Sequence, residues 1–113
     1  MVCGSRDCDD QIGISRILTL LSLLGGKPAI MITGGAVGVD TLAGNWAIAN
    51  DVRLVLYQPE WTRHGKSAGV IRNTQLVNDA DFILAFWDGR SKGTRDSIQK
   101  AMRSGKPLLV FNV

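Results

Sequence analysis

Met31-Ile32-Thr33-Gly34-Gly35-Ala36-Val37-Gly38-Val39-Asp40 is the stretch on which the reading of the fold turns. The apolar run from Ala29 to Ile32 stops at a Gly-Gly pair, and helical spacing of apolar residues begins at once after it. A strand, a tight turn and a helix N-terminus have this look when backbone N–H groups approach an anion. Glycine reaches positive φ and leaves no Cβ between chain and ligand. An ordinary strand-to-helix turn has the same composition. The stretch alone therefore leaves a packing turn and a phosphate cradle both open.

Outward from this stretch the chain alternates between two periods. Before it, Asp9 or Asp10 is placed to cap a helix over Ile12–Leu24, where Ile14, Ile17, Leu18, Leu21 and Leu24 follow helical spacing. Leu20 and Leu23 widen that face, which suggests burial against a sheet and against a partner. Gly25-Gly26 stops the helix, and Pro28–Ile32 is a short buried strand. After it, Val39, Leu42, Ala43, Trp46, Ala47 and Asn50 recur at helical spacing, with Trp46 read as core. Val52–Tyr57 reads as a strand, Gln58–Lys66 as the longest polar connection, and Lys66–Ala80 as a helix. Asp81–Phe86 is a further apolar strand, Trp87–Thr94 a second Gly-rich turn, and Ile98, Ala101 and Met102 mark the next helix. Met1–Cys3 is a very short apolar start that reads as a short first strand, and Leu108–Val113 is a last strand. Gly26-Lys27-Pro28 and Gly105-Lys106-Pro107 echo each other as helix stops at the edge opposite the Gly-rich turns.

Central strands that are apolar without alternation are buried on both faces, which predicts a parallel sheet covered by helices. The expected fold is α/β: a single Rossmann-like domain over residues 1–113, with an about five-stranded parallel sheet and helices on both faces. In such a sheet the loops after the strands gather at one edge, where ligands bind. Gly4-Ser5-Arg6-Asp7, Gly34-Gly35-Ala36 and Gly89–Thr94 are three of those loops.

With 113 residues, 45% of them apolar and 20% charged, the composition is that of an ordinary globular chain. Its apolar runs are too short to cross a bilayer and no charged-then-apolar leader is visible, so a cytoplasmic protein without membrane contact is expected. The net charge of +3 is spread over single basic residues, which argues against a nucleic-acid surface. Cys3 and Cys8 lack the spacing and partners of a zinc set, so no metal is expected.

Arg6, after the first strand, suits a bidentate phosphate clamp or a salt bridge to Asp7 or Asp40. Asp40, one turn into the second helix, suits a ribose hydroxyl, a bond to Arg6, or a structural role. Lys66 and Arg72 lie about two turns apart on one helix, as ligand groups or solvated charges. Asn73, beside Arg72, points elsewhere and reads as a loop brace. Trp61 is placed to stack on a base or to anchor its loop. His64, without a partner, reads as a cap or surface residue. The second turn, with Gly89, Gly93 and Thr94, offers amides to a phosphate at a helix start. It is not a Walker A loop, since its Lys does not stand between the second Gly and the hydroxyl residue.

Val2-Cys3-Gly4-Ser5-Arg6-Asp7, Gly34–Asp40, Trp61 with His64-Gly65-Lys66 and Ala68-Gly69, Arg72-Asn73, and Ala85-Phe86 followed by Gly89 and Gly93-Thr94 together resemble the YspA-related branch of the SLOG superfamily. That superfamily joins the SMF/DprA proteins to the LOG phosphoribohydrolases. The resemblance implies a Rossmann-like sheet, a pocket for a nucleotide or nucleotide-derived ligand of the ADP-ribose or NAD kind, and a homo-oligomer. It implies ligand contacts from Ser5, Arg6, Gly34, Gly35, Ala36, Asp40, Trp61, Lys66, Arg72, Gly89, Gly93 and Thr94, and no resident cofactor. One departure bears on catalysis. LOG enzymes carry Pro-Gly-Gly-x-Gly-Thr-x-x-Glu, and the position of that Glu falls on Ser97. Asp96 adjoins it but points about 100° away on an ideal helix. The expectation is a binding module, sensor or sequestering; the alternatives are a LOG-type N-glycosidase using Asp40 or Asp96, and an SMF/DprA-type DNA-processing module.

Overall fold

Residues 1–113 are all described in the computed structural model. In chain order it contains β1 (Val2–Gly4), α1 (Gln11–Gly25), β2 (Ile30–Thr33), α2 (Val39–Ala49), β3 (Arg53–Leu56), α3 (Trp61–His64), a 3₁₀ turn (Gly65–Ser67), α4 (Ala68–Asp79), β4 (Ile83–Trp87), α5 (Lys92–Ser104) and β5 (Leu108–Asn112). All strand pairs are parallel. Side chains alternate across the strands and feed two helix layers. Val2, Met31 and Phe86 pack with Ile14 and Leu18 of α1 and Val39, Ala43, Trp46 and Ala47 of α2. Ile83 packs with Val77 of α4 and Ala101 of α5, while Cys3 and Ala85 meet Ile98. Helices thus cover both faces.

The helix ends follow the sequence signals. Asp10 Oδ1 accepts the Gly13 N–H at 2.9 Å, satisfying a free donor at the start of α1. The Gly-Lys-Pro segments do more than stop helices. Lys27 Nζ donates to Asn50 O at the end of α2, 2.8 Å away. Lys106 Nζ donates to the Val77, Asn78 and Ala80 carbonyls at the end of α4, at 2.7, 2.6 and 2.7 Å. Each lysine caps a neighbouring helix, where a cation meets orphan carbonyls and the negative end of the dipole.

Three expectations are corrected. The strands pair as β1-β4-β5 and β2-β3, instead of as one five-stranded ladder. β1 lies beside β2, but its Met1 and Ser5 backbone groups bond to β4. Alternation turns the Val2 and Gly4 backbone groups toward β2, yet no ladder forms between the two strands. The polar connection after β3 is helical from Trp61, and a 3₁₀ turn opening at Gly65 (φ +58°) precedes α4. Lys66 and Arg72 therefore do not share one continuous α-helix. Leu24, counted with the inner face of α1, and Leu20 and Leu23, read as widening it, are 78, 56 and 79% exposed, so that only Ile14 and Leu18 of α1 are fully buried.

Candidate functional site

Ser5 ties the loops after β1, β2 and β4 together. It is buried; its N–H donates to Phe86 O (2.9 Å), its carbonyl accepts from Val39 N (3.2 Å), and its Oγ accepts from Asp88 N (2.9 Å). All its polar groups are engaged inside the protein. Gly38 makes the approach possible: at φ +84° a Cβ there would lie 2.4 Å from Ser5 O and 2.5 Å from Arg6 O. No other residue type fits.

The first turn is buttressed from within. Gly35 N–H donates to Thr33 Oγ1 (3.0 Å) and Ala36 N–H to Asp40 Oδ2 (3.2 Å). Two of the amides expected to meet a ligand are thereby taken. The free donors lie slightly further on, at Val37, Gly38, Asp40 and Thr41, where α2 begins. Asp40 is buried and turned onto this loop. Burial pushes its carboxyl up to about 6, against the pull of the Ala36 and Gly34 amides and the charges of Arg72 and Arg6. Its charge also adds to burial in pushing the Cys3 thiol up to about 12, so that thiol is inert.

Two guanidinium groups approach this carboxylate. Arg72 Nη1 donates to Gly34 O (3.1 Å) and its Nε to Asn73 Oδ1 (3.1 Å), leaving Nη2 free. The guanidinium lies where a Gly34 Cβ would be, 2.6 Å from Nη1. Burial lowers its pKa, Asp40 opposes that, and Arg6 adds to it. Arg6 is exposed, and neither of the salt bridges considered for it forms.

Asn73 braces the second turn, but it does not point away from Arg72 as its place on the helix suggests, since its Oδ1 accepts the Arg72 Nε–H. Its Nδ2 donates to Gly93 O (3.4 Å) and to Asp96 Oδ2 (3.2 Å), fastening α4 to the second turn. Asp96 is bound by Lys100 Nζ at 2.7 Å, and that Nζ also donates to Val70 O. The catalytic candidate Asp96 is thus held in a bridge between α4 and α5. Ser97 beside it is buried, so the position of the LOG glutamate faces inward here.

In the second turn, Asp88 Oδ1 accepts Arg90 N (2.8 Å) and Ser91 N (2.9 Å). These amides hold the Asp88 carboxyl below the usual carboxylate range. The amides of Lys92, Gly93 and Thr94 have no protein partner. Thr94 is buried, its Oγ1 3.1 Å from Ser91 Oγ. Gly89 and Gly93 have open space around them.

Trp61, on α3, is 58% exposed, and Lys66 in the 3₁₀ turn is exposed without a partner. Neither is bonded to the two turns. His64 Nε2 is 3.7 Å from Glu60 Oε2, an i,i+4 pair in which the histidine is partly buried and the glutamate exposed. Two contributors escaped the sequence reading: Thr33, a hydroxyl directly before the Gly pair, and Asp88, the Asp of an Asp-Gly turn. Both are positions where short polar side chains bond their own backbone.

The family described as YspA, cpYpsA-related SLOG matches this chain over residues 1–64, a span holding the first turn, Arg6, Asp40 and Trp61. The chain belongs to that family. It is similar to Gene 61 protein of Mycobacterium phage D29, 40% identical over 88 residues, which covers 73% of this chain and 70% of that protein. No solved structure matches it. Membership gives this SLOG chain a nucleotide-related function at the coarse level. No helix is long and apolar enough to cross a membrane.

Proposed function

We propose that the chain binds a nucleotide or nucleotide-derived ligand, of the ADP-ribose or NAD kind, at the C-terminal edge of its strands, as a sensor or sequestering module. The observation that carries this reading is the pair of helix starts flanking Ser5. The first has unpaired amides at Val37, Gly38, Asp40 and Thr41 with Arg6 and Arg72 beside it, and the second at Lys92, Gly93 and Thr94. Unpaired amides at the positive end of a helix dipole favour phosphate, and guanidinium groups neutralise its charge. In this reading Asp40 and Thr33 hold the first turn in shape instead of touching the ligand. Trp61, exposed near the edge, offers a face to the base. Isothermal titration with AMP, ADP-ribose, NAD and cyclic nucleotides tests the reading. Micromolar binding lost in Arg6→Ala supports it, and no heat from any of the panel at millimolar ligand sinks it.

One observation favours a second reading, an N-glycosidase. A buried carboxyl raised to about 6 is poised for proton transfer near neutral pH. Release of free base from nucleoside monophosphates, abolished in Asp40→Asn, is its signature. The same carboxyl bonded to Ala36 N supports the clamp role equally, so binding remains the first reading.

A further inference from the structure

β2, the first glycine turn, α2 and β3 make one parallel βαβ unit. In such a unit a phosphate held at the start of the helix leaves the adenosine sugar beside the end of the second strand. The side chain at that end decides what the sugar can carry. A carboxylate there bonds a free 2′-hydroxyl and repels a 2′-phosphate, whereas a side chain without negative charge raises no such barrier.

In this chain the residue in that place is Gln58. Thr33 pairs with Leu56, and the Tyr57 N–H donates to Thr33 O at 2.8 Å, so the pairing of β2 with β3 runs on toward the glycines. Two residues past Leu56, Gln58 comes level with Gly35. Strand alternation then sorts the side chains. Tyr57 turns to the α4 face, where its hydroxyl donates to Asp79 Oδ2 at 2.6 Å. Leu54, Leu56 and Gln58 turn to the α2 face, Leu54 Cδ2 lying 3.2 Å from where a Cβ of Gly44 would stand. A Cβ on Gly35 would be 3.6 and 3.7 Å from the Leu56 δ-carbons and 3.9 Å from Gln58 Nε2. The amide of Gln58 is therefore set directly beside the first turn. It is exposed, and none of the hydrogen bonds that hold the turn uses it.

No carboxylate competes for the position. Glu60, the first acid after β3, is turned to Arg63 and His64, 3.6 and 3.7 Å away. Asp79 is on the opposite face with Tyr57, and Asp40 is turned onto the Ala36 N–H. The end of β3 thus presents a neutral group that carries both donors and an acceptor, able to bond a hydroxyl or a phosphate oxygen alike.

We propose that Gln58 determines specificity at the sugar of the ligand, bonding it beside the first turn and admitting a 2′-phosphate there as well as a free 2′-hydroxyl. This rests on the nucleotide reading of the site given above, and it adds which members of that class fit.

Isothermal titration of the whole chain with ADP-ribose and with its 2′-phosphate tests the assignment. The wild type should bind the two within about threefold of each other. Gln58→Glu should shift the ratio of the two affinities by about tenfold or more toward ADP-ribose, the effect of one close like-charge contact, and Gln58→Lys should shift it toward the 2′-phosphate. Thr62→Glu puts the same charge on an exposed position of α3 and should leave the ratio as it is. A wild type that prefers ADP-ribose by more than about tenfold, an unchanged ratio in Gln58→Glu, or an equal shift in Thr62→Glu overturns the proposal and leaves nucleotide binding standing. No heat from either compound overturns both.

Discussion

Two glycine-rich turns stand at the same sheet edge, and they are built in opposite ways. In the turn from Thr33 to Val39 the glycines are required by packing: Gly38 presses on the carbonyls of Ser5 and Arg6, and Gly34 makes room for the Arg72 guanidinium. Side chains from inside the fold take up its amides. In the turn from Asp88 to Thr94, Gly89 and Gly93 meet nothing, and one exposed carboxylate holds two amides. A shared composition therefore hides a rigid wall and an adjustable one. The difference teaches that glycine count does not measure readiness for a ligand; the fate of each amide does.

Gly38→Ala tests the rigid wall most severely. It adds a Cβ against two carbonyls at a positive φ, and about 3–4 kcal/mol of stability should be lost. Gly93→Ala lies in the first turn of α5 with open space and no positive φ, so it should be neutral or gain up to about 1 kcal/mol. Chemical denaturation of the two variants measures both. Equal losses would erase the contrast between the turns.

Asp40 brings pH into the comparison. Its carboxyl rises from 3.8 to about 6 on folding, chiefly through burial. Between those values the folded chain keeps a proton that the unfolded chain releases. Stability that is full below about pH 4 is therefore lost as pH rises through 6, by about 2–3 kcal/mol. Asp40→Asn keeps an acceptor for the Ala36 N–H without the charge. The variant should exceed the wild type by about that amount at pH 8 and match it at pH 4. A pH-independent difference between the two would mean that the carboxylate is not the strained element of the turn.

Much of this architecture was legible in the chain. Period and punctuation gave the alternating elements, because Gly25-Gly26, Gly34-Gly35 and Gly105 stop or turn the backbone by local chemistry. Asp10 caps α1 as its type suggested, and Asn73 braces the second turn while also holding Arg72. What stayed hidden was non-local or geometric. Arg72 reaches Gly34 across 38 positions, which no local pattern announces. The direction of Asp40 depends on a turn that folds back over it, and that hid its role as a clamp. The missing ladder between β1 and β2 is a matter of strand pairing, which no local pattern announces. α3 is a single turn of helix, too short to show a period.

Arg72 marks the point at which the rigid wall meets a ligand. Arg72→Ala should weaken ADP-ribose binding tenfold to a hundredfold, the loss of one charge-assisted contact, and Arg72→Lys should not restore it, having no planar fork. Gly34→Ala offers a sharper version. Its Cβ displaces the guanidinium without deleting it, so titration calorimetry should show a similar loss with the charge still present. Full affinity in Gly34→Ala would mean that the position of Arg72 does not matter.

The smallest effect is expected at Asp88, and it tests whether the second turn is loose. The carboxylate is wholly exposed and held below the usual range by the Ser91 and Arg90 amides. A depressed carboxyl contributes above its unfolded pKa and loses that contribution as pH falls through the folded one. Asp88→Ala should therefore speed hydrogen exchange at Arg90 and Ser91 at neutral pH, and acidifying the wild type should narrow the gap between them. The melting temperature should hardly move, because Ser5 and Asn73 still fasten the ends of the turn. A fall as large as that of Gly38→Ala would show that Asp88 is as structural as the glycine. The second turn would then be another rigid wall, and a ligand would have to fit both walls as they stand.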